Sequence, residues 1–247
     1  MKYLKKIQIL NSLDLKILAM IFMLCDHLWG TLIPGNQWLN NIGRLAFPIF
    51  AFQIAEGAVH TSNFKKYLGR MFVFALISEI PFNLMMSGSA FFPFHQNVMF
   101  TFTIALLMIS ILRFAKKKNI YLYIASAVIC CFLGYMLGTI SMSDYYGYGV
   151  LTVLVFYIFR DFRFSWVLQF VTIIYINAFM MSGLTYNFEL FGININFPQQ
   201  AFAILSLILI AMYNGKQGIK NNFTKYGTYL FYPIHMLILY FINSVLQ

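Results

Sequence analysis

Six ionisable residues lie inside the most apolar stretches of this 247-residue chain, where a charge is costly. They are Asp26, His27, Arg44, Glu56, Glu79 and His235. Side chains of these types move protons, attack carbonyl carbons or stabilise a developing negative charge. Because a charge at the centre of a membrane helix costs roughly 2.5–3.5 kcal/mol, each must pair or face water. We therefore treat all six as candidate catalytic or site-lining residues.

Helical spacing indicates which polar residues share a face, since residues three, four or seven apart point the same way. Three predicted helices carry such sets: Gln53, Glu56 and His60; Glu79 and Asn83; Asn97 and Thr101. Three polar faces within an apolar chain predict a hydrated cleft. His60 sits at a membrane edge, where an ordinary surface role is the stronger expectation.

Asp26 and His27 are neighbours, so on a helix their side chains diverge by about 100°. We therefore expect Arg44, not His27, to be the partner of Asp26. One alternative is a structural ion-pair network of Asp26, Arg44 and Glu79 that holds three helices together. For His27 and His235 the corresponding alternative is a polar residue bonded to a neighbouring helix.

Composition identifies the environment of these residues. Hydrophobic residues make up 61% of the chain and charged residues only 10%, against roughly 25% charged in a soluble domain. This predicts an all-α integral membrane helix bundle, organised as a single domain over residues 1–247. The net charge of +10 does not indicate nucleic acid, because the basic residues occupy short gaps between apolar runs. The three cysteines lie in apolar runs and suggest neither a metal site nor a disulfide framework.

A membrane helix needs roughly 17–25 apolar residues, and cutting the chain at its polar clusters gives about nine spans. The predicted spans are 17–33, 42–60, 68–86, 97–115, 120–140, 148–162, 164–182, 199–213 and 227–246. With a cytoplasmic amino terminus, 16 of the 17 Lys and Arg residues fall on the cytoplasmic side, and Arg44 is the exception. We expect a multi-pass protein of the bacterial cytoplasmic membrane, in contact with the lipid bilayer and without a cleavable signal peptide.

An ordered series of short segments carries a family resemblance. It comprises DH at 26–27, RLAFPIFAFQIAEG at 44–57, HT at 60–61, YLGR at 67–70, SEIPF at 78–82, NVMFT at 97–101 and YPIH at 232–235. The series resembles the TraX family of membrane proteins, named for the enzyme that N-acetylates a conjugative pilin. That family is in turn similar to transmembrane acyltransferases, which move an acetyl group from cytoplasmic acetyl-CoA to an acceptor at the outer face, using a histidine within the membrane.

The resemblance implies roles for the candidate residues. His27 would be the catalytic base or acyl carrier, with Asp26 and Arg44 positioning the site; Arg44 and Asn97 are candidates for stabilising the oxyanion. Glu56, Glu79 and His235 would line the cleft. The coenzyme A phosphates would meet basic groups at the cytoplasmic side: His60, Lys65, Lys66, Arg70 and Lys225. The positive-inside rule also places basic residues on the cytoplasmic side, so membrane topology alone could account for each lysine.

The acceptor would be a peptide, a pilin or a cell-surface glycan. The rival interpretation is a small proton-coupled secondary transporter, because buried Asp, Glu and His also form proton relays. Against it, we find neither an inverted repeat nor paired broken helices. A third interpretation is a non-catalytic assembly partner for a secreted peptide.

Overall fold

The computed structural model describes residues 7–162, 164–181, 183–190, 192–219 and 221–246. Within these ranges the side chains of residues 190, 193, 222, 223 and 225 are not described. About 75% of the structure is helical, which confirms the predicted helical class. One two-stranded β-hairpin departs from a purely helical fold.

The helices and strands follow in chain order. The α-helices are α1 Ser12–Thr31, α2 Gln37–Gly43, α3 Ala46–His60, α4 Phe64–Ser87, α5 Val98–Lys118, α6 Ile120–Ile140, α7 Tyr146–Ile158, α8 Ser165–Tyr175, α9 Ser206–Ala211 and α10 Asn222–Leu246. A π-helical turn, Ile176–Met180, continues α8, and a 3-10 helix, Gln199–Leu205, precedes α9. Strands β1 Thr185–Leu190 and β2 Ile193–Pro198 pair antiparallel, with Thr185 opposite Pro198.

Five helices among the described residues are long and apolar enough to cross a membrane. They are Gln37–His60, Phe64–Ser87, Val98–Lys118, Ile120–Ile140 and Tyr226–Leu246. The chain is therefore a helical membrane protein. Helix α1 has comparable length but carries Asp14, Lys16 and Asp26. The nine-span count and the cytoplasmic amino terminus stay predictions.

The predicted sixth, seventh and eighth spans correspond to shorter elements than expected. Helix α7 has 13 residues, about 20 Å at 1.5 Å per residue, against a hydrocarbon core of about 30 Å. The long loop predicted after the seventh span instead contains the hairpin. Its strands are rich in aromatic and branched residues, which favour extended backbone.

The predicted second span, 42–60, lies within the candidate membrane span Gln37–His60, but this segment is interrupted near Arg44. Helix α2 ends at Gly43, with Arg44 as its C-cap, and α3 begins at Ala46. Pro48 in the first turn of α3 explains the break, because proline has no N–H to donate to the carbonyl of Arg44. The break puts Arg44 at a helix end rather than within a helix.

The chain divides into two compact units, and the first comprises Met1–Phe50 with Phe164–Lys220. Helix α1 starts with a capping box in which Asn11 accepts hydrogen bonds from the backbone of Leu13 and Asp14, while Asp14 accepts from Asn11. Helices α1 and α2 form an antiparallel pair. The hairpin is fastened to α2 by Asn41, whose Oδ1 lies 2.8 Å from both the Tyr186 hydroxyl and Gln199 Nε2.

The second unit comprises Ala51–Arg163 with Asn221–Gln247. Its helices α5, α6 and α7 pack successively, and α10 packs along α4. Gly134 and Gly138 permit the close approach of α6 and α7: a Cβ at Gly138 would lie 2.7 Å from the backbone oxygen of Tyr146. The single-domain prediction is not tested by this division.

Candidate functional site

The first unit brings two of the predicted residues into contact. Arg44 Nη2 donates to Asp26 Oδ1, and each side chain is 20% exposed. This confirms the expected partner of Asp26. Gly43 makes the contact possible, since a Cβ there would lie 2.5 Å from Asp26 Cβ and 2.9 Å from Asp26 Cα. Sequence reasoning missed Gly43, although it directly precedes Arg44.

His27 follows Asp26 on α1 and is partly exposed. Its backbone oxygen accepts a hydrogen bond from the Thr31 hydroxyl at 2.6 Å. The side chain of Arg44 also donates to the backbone oxygen of Asn40, at 3.4 Å, which ties the guanidinium to its own helix. The α1–α2 pair therefore holds an arginine and a carboxylate in contact, and His27 is the next residue along α1.

In the second unit, Glu56 lies at the centre of an ionic cluster. Its carboxylate accepts from Arg160 Nε at 2.6 Å and lies 3.2 Å from His60 Nε2. His60 Nε2 is also 3.3 Å from Arg160 Nη2. The contact between Glu56 and His60 confirms the face inferred from their spacing. Arg160 was missed as a site residue, because its partner is 104 positions away and no local pattern connects them.

The same cluster continues through Lys116 and Asp161, whose Nζ and Oδ2 atoms are 2.6 Å apart. The hydrogen bond from Lys116 and the charge of Arg160 hold the pKa of Asp161 below its usual value of 3.8. Arg113 donates to the backbone oxygen of Ala58. These contacts join the carboxyl ends of α3, α5 and α7, and we call this side the basic end of the second unit.

The residues predicted to bind coenzyme A phosphates lie in part at this basic end. Lys65 and Lys66 are exposed in the first turn of α4 and make no ion pair within the part of the chain that the structure describes. Arg70 lies one turn further along the helix, 5.9 Å from the centre of the Tyr67 ring. His60 is engaged with Glu56 and Arg160. The side chain of Lys225 falls outside the described residues.

Glu79 contacts the amino end of α5. Its Oε2 accepts from Asn97 Nδ2 at 2.5 Å and from the Asn97 backbone N–H at 3.2 Å. A carboxylate at a helix amino end is stabilised by unpaired N–H groups and by the helix dipole. These are structural contacts. The Asn97 side chain makes a second hydrogen bond, because its Nδ2 also donates to the backbone oxygen of Ala75 at 2.8 Å. Asn97 is therefore not available as an oxyanion donor, and that expectation was wrong.

A second ionic contact lies near Glu79, at the opposite end of the same unit. His95 Nε2 is 3.5 Å from Asp144 Oδ1, and Gln96 forms a parallel bridge with Ser143. The hydrogen bond with Asp144 raises the pKa of His95 above 6.5, and Glu79 adds to this through its charge. We call Glu79, His95, Asn97 and Asp144 the loop end of the second unit. His95 lay outside our candidates because it lies at a membrane edge, just before the predicted span that begins at residue 97.

His235 is 5% exposed on α10, where its Nδ1 lies 2.7 Å from the backbone oxygen of Phe231. Its ring stacks on that of Phe231 with centroids 4.7 Å apart. Pro233 lies within the same helix and removes one backbone donor from it. Among the described residues no group of three or more His, Cys, Asp or Glu side chains could hold a metal ion.

Comparison with known proteins places this geometry in a family. A family model described as "TraX protein" matches residues 12–243. The chain belongs to the TraX family. The protein named "Probable fimbrial assembly protein FimC, serogroup H1" from Dichelobacter nodosus is 28% identical over 266 aligned residues, which cover 96% of this chain and 97% of that protein. No solved structure matches the chain.

Several residues in the segments that resembled the TraX family make the contacts described above. In the segment 44–57, Arg44 pairs with Asp26, Pro48 sets the start of α3 and Glu56 holds Arg160. In this TraX protein the match therefore covers both the α1–α2 pair and the basic end.

Proposed function

We propose that this TraX protein is an acyltransferase embedded in the bacterial cytoplasmic membrane. It moves an acetyl group from cytoplasmic acetyl-CoA to an amine or hydroxyl acceptor at the membrane or its outer face. In this proposal the chain crosses the bilayer about nine times, with its amino terminus in the cytoplasm. The observation that carries the proposal is the ion pair of Arg44 with Asp26, the residue that precedes His27 on α1.

His27 supplies the group that acyl transfer requires. A neutral imidazole near pH 7 accepts the proton of the attacking amine or hydroxyl and returns it to the departing sulfur. The acceptor atom bonds to the carbonyl carbon, the carbon–sulfur bond breaks, and the sulfur leaves as the thiol of coenzyme A. Alternatively, an imidazole nitrogen attacks the carbonyl carbon first, the carbon–sulfur bond breaks, and coenzyme A leaves as the thiol with the proton of the ring. The acceptor then attacks the acetyl-imidazole, the nitrogen–carbon bond breaks, and the imidazole takes up the acceptor's proton. In either route Arg44 is the fixed cation near the developing oxyanion.

Asp26 acts in this proposal by holding Arg44. A guanidinium that is already fixed needs no reorganisation when negative charge develops, which is the basis of electrostatic catalysis. The roles of Glu56, Glu79 and His235 as residues lining the same pocket stay predictions. Their contacts in the second unit account for Glu56 and Glu79 as structural groups.

The basic end of the second unit supports a cytoplasmic site for the donor. Arg113, Lys116 and Arg160 gather on the same side as the exposed Lys65 and Lys66, at the start of α4. Gathering of basic residues at one end of several helices is what the positive-inside rule requires of the cytoplasmic face. Because Lys116 and Arg160 already have carboxylate partners, we propose Lys65, Lys66 and Arg70 as the main phosphate-binding residues. His60 and Lys225 complete the predicted set.

The acceptor class is suggested by the relative from Dichelobacter nodosus, whose name refers to fimbrial assembly. We propose a pilin or another exported peptide with a free amine as the first acceptor to test, with a cell-surface glycan as the second.

The test uses the full chain purified in detergent or nanodiscs, with radiolabelled acetyl-CoA and candidate acceptors. We expect label transfer, and we expect His27→Ala to abolish it while the protein still folds. Cys25→Ala, two residues earlier on α1, is the matched control and should retain transfer. Absence of both label transfer and coenzyme A hydrolysis with every acceptor would refute the proposal. Solute uptake driven by a pH gradient in liposomes, without protection by coenzyme A against heat, would favour a transporter.

A further inference from the structure

Two buried polar atoms on α1 and α2 have no hydrogen-bond partner within the part of the chain that the structure describes. They are Nε1 of Trp29 and Oδ1 of Asn40. The Asn40 residue is only 2% exposed. Roughly nine in ten buried polar groups in proteins do have a partner, so two exceptions on one helix pair need an explanation.

Their position relates them to the ion pair. Trp29 follows Asp26 by three residues on α1, and Asn40 precedes Arg44 by four residues on α2. Because α1 and α2 run antiparallel and Asp26 meets Arg44, both residues lie about one helical turn, or about 5 Å along the helix axis, from the residues of the pair. They lie on the side of the loop that connects the two helices. The same helix carries His27 two residues before Trp29.

The two atoms define the chemistry of a complementary group. The indole N–H can only donate, and the amide oxygen can only accept. A partner that satisfies both must offer a lone pair and a hydrogen. A hydroxyl or an uncharged amide has both, whereas a carboxylate or doubly charged phosphate has no hydrogen to donate and an ammonium group has no lone pair.

We propose that Trp29 and Asn40 form a binding subsite for a hydroxyl or an uncharged amide of a substrate, about one helical turn from the Asp26–Arg44 ion pair. This inference rests on the proposed function and adds a substrate contact to it. The group could belong to the acyl donor, whose pantetheine arm carries two secondary amides, or to the acceptor. The donor and the acceptor would present the same kind of group to Trp29 and Asn40, and the test distinguishes between them.

The test measures ligand-induced shifts in the thermal midpoint of the full chain in detergent, so it needs no turnover. The probes are S-acetylpantetheine for the donor arm, and alanyl-alaninamide and N-acetylglucosamine for the acceptor. The variants are Trp29→Phe, which removes the N–H while keeping a large ring, and Asn40→Leu, which keeps the volume. The control is Trp38→Phe on α2, whose side chain is 58% exposed.

We expect both variants to bind at least one probe roughly twofold to tenfold more weakly, and the control to bind as the wild type does. The probe affected identifies the source of the group. Without a probe, the midpoints should be unchanged or higher, since each variant removes an unpaired polar atom.

Three results would overturn the inference. The first is unchanged affinity of both variants for every probe, and the second is the absence of any shift in the wild type. The third is a lower midpoint without probe together with unchanged affinity, which would assign both atoms to a structural water. If probe shifts depend on Trp29 and Asn40 but no acetyl transfer occurs, the proposed function fails while the subsite stands.

Discussion

Substituting Gly43 by alanine is the most direct perturbation of the candidate site, because it leaves Asp26, His27 and Arg44 in the sequence. The added Cβ would lie 2.5 Å from Asp26 Cβ and 2.9 Å from Asp26 Cα, against about 3.5–4.0 Å for an ordinary carbon contact. Helices α1 and α2 would therefore have to separate by roughly 1 Å. That movement pulls the Arg44 guanidinium away from its carboxylate.

Two opposing effects set the size of the change. Alanine favours a helix over glycine by about 1 kcal/mol, whereas overpacking costs about 1–3 kcal/mol and a separated ion pair adds to the cost. We expect a net loss of about 1–3 kcal/mol in the free energy of unfolding, together with loss of acetyl transfer. Gly30→Ala is the matched control, since Gly30 lies on α1 with no atom within 4 Å of a Cβ. It should unfold at the same or a higher denaturant concentration.

Denaturant unfolding in mixed micelles, followed by circular dichroism, measures both variants. If Gly43→Ala is as stable as Gly30→Ala and retains transfer, then the close approach of α1 and α2 does not position the ion pair, and the reasoning fails.

Two further predictions concern the second unit. Gly138→Ala should lower its stability by about 1–3 kcal/mol in the same unfolding assay, because the new Cβ meets the rigid backbone oxygen of Tyr146, whereas Gly69→Ala, with open space, should not. The contact between His95 and Asp144 should stabilise the protein at acidic pH: the raised pKa of His95 makes its contribution complete below about pH 6.5 and lost as the pH rises through that raised pKa. The difference in thermal midpoint between wild type and His95→Gln should accordingly shrink as pH increases, and a growing difference would contradict the assignment.

Local features of the sequence predicted part of this structure. The span 120–140 matches α6 at both ends, because a long apolar run begins directly after Asn119, whose side chain caps the helix by accepting from the Leu122 N–H. The shared face of Glu56 and His60 also followed from helical spacing. Pro48 carried the signal for the break before α3, but the apolar run around it favoured one continuous helix.

Contacts between residues far apart in the sequence could not be predicted from local patterns. Arg160 looked like an ordinary cytoplasmic charge, and only folding brings it to Glu56. Asn97 looked like a donor pointing into a cleft, yet its amide is consumed by Glu79 and Ala75. From a single sequence we can infer that a buried polar side chain needs a hydrogen-bond or ion-pair partner, but not which residue is that partner.

The carboxylates of Glu79 and Asp26 differ in the kind of partner that each one contacts. Glu79 receives two hydrogen bonds from one residue and fastens a helix end, so its contacts need no ligand. Asp26 instead pairs with Arg44 at the break between α2 and α3, and the next residue along α1 is His27. A buried ion pair stabilises a fold little better than apolar residues of the same size. In the proposed function, the role of Asp26 and Arg44 is to present a fixed charge to the substrate that binds near His27.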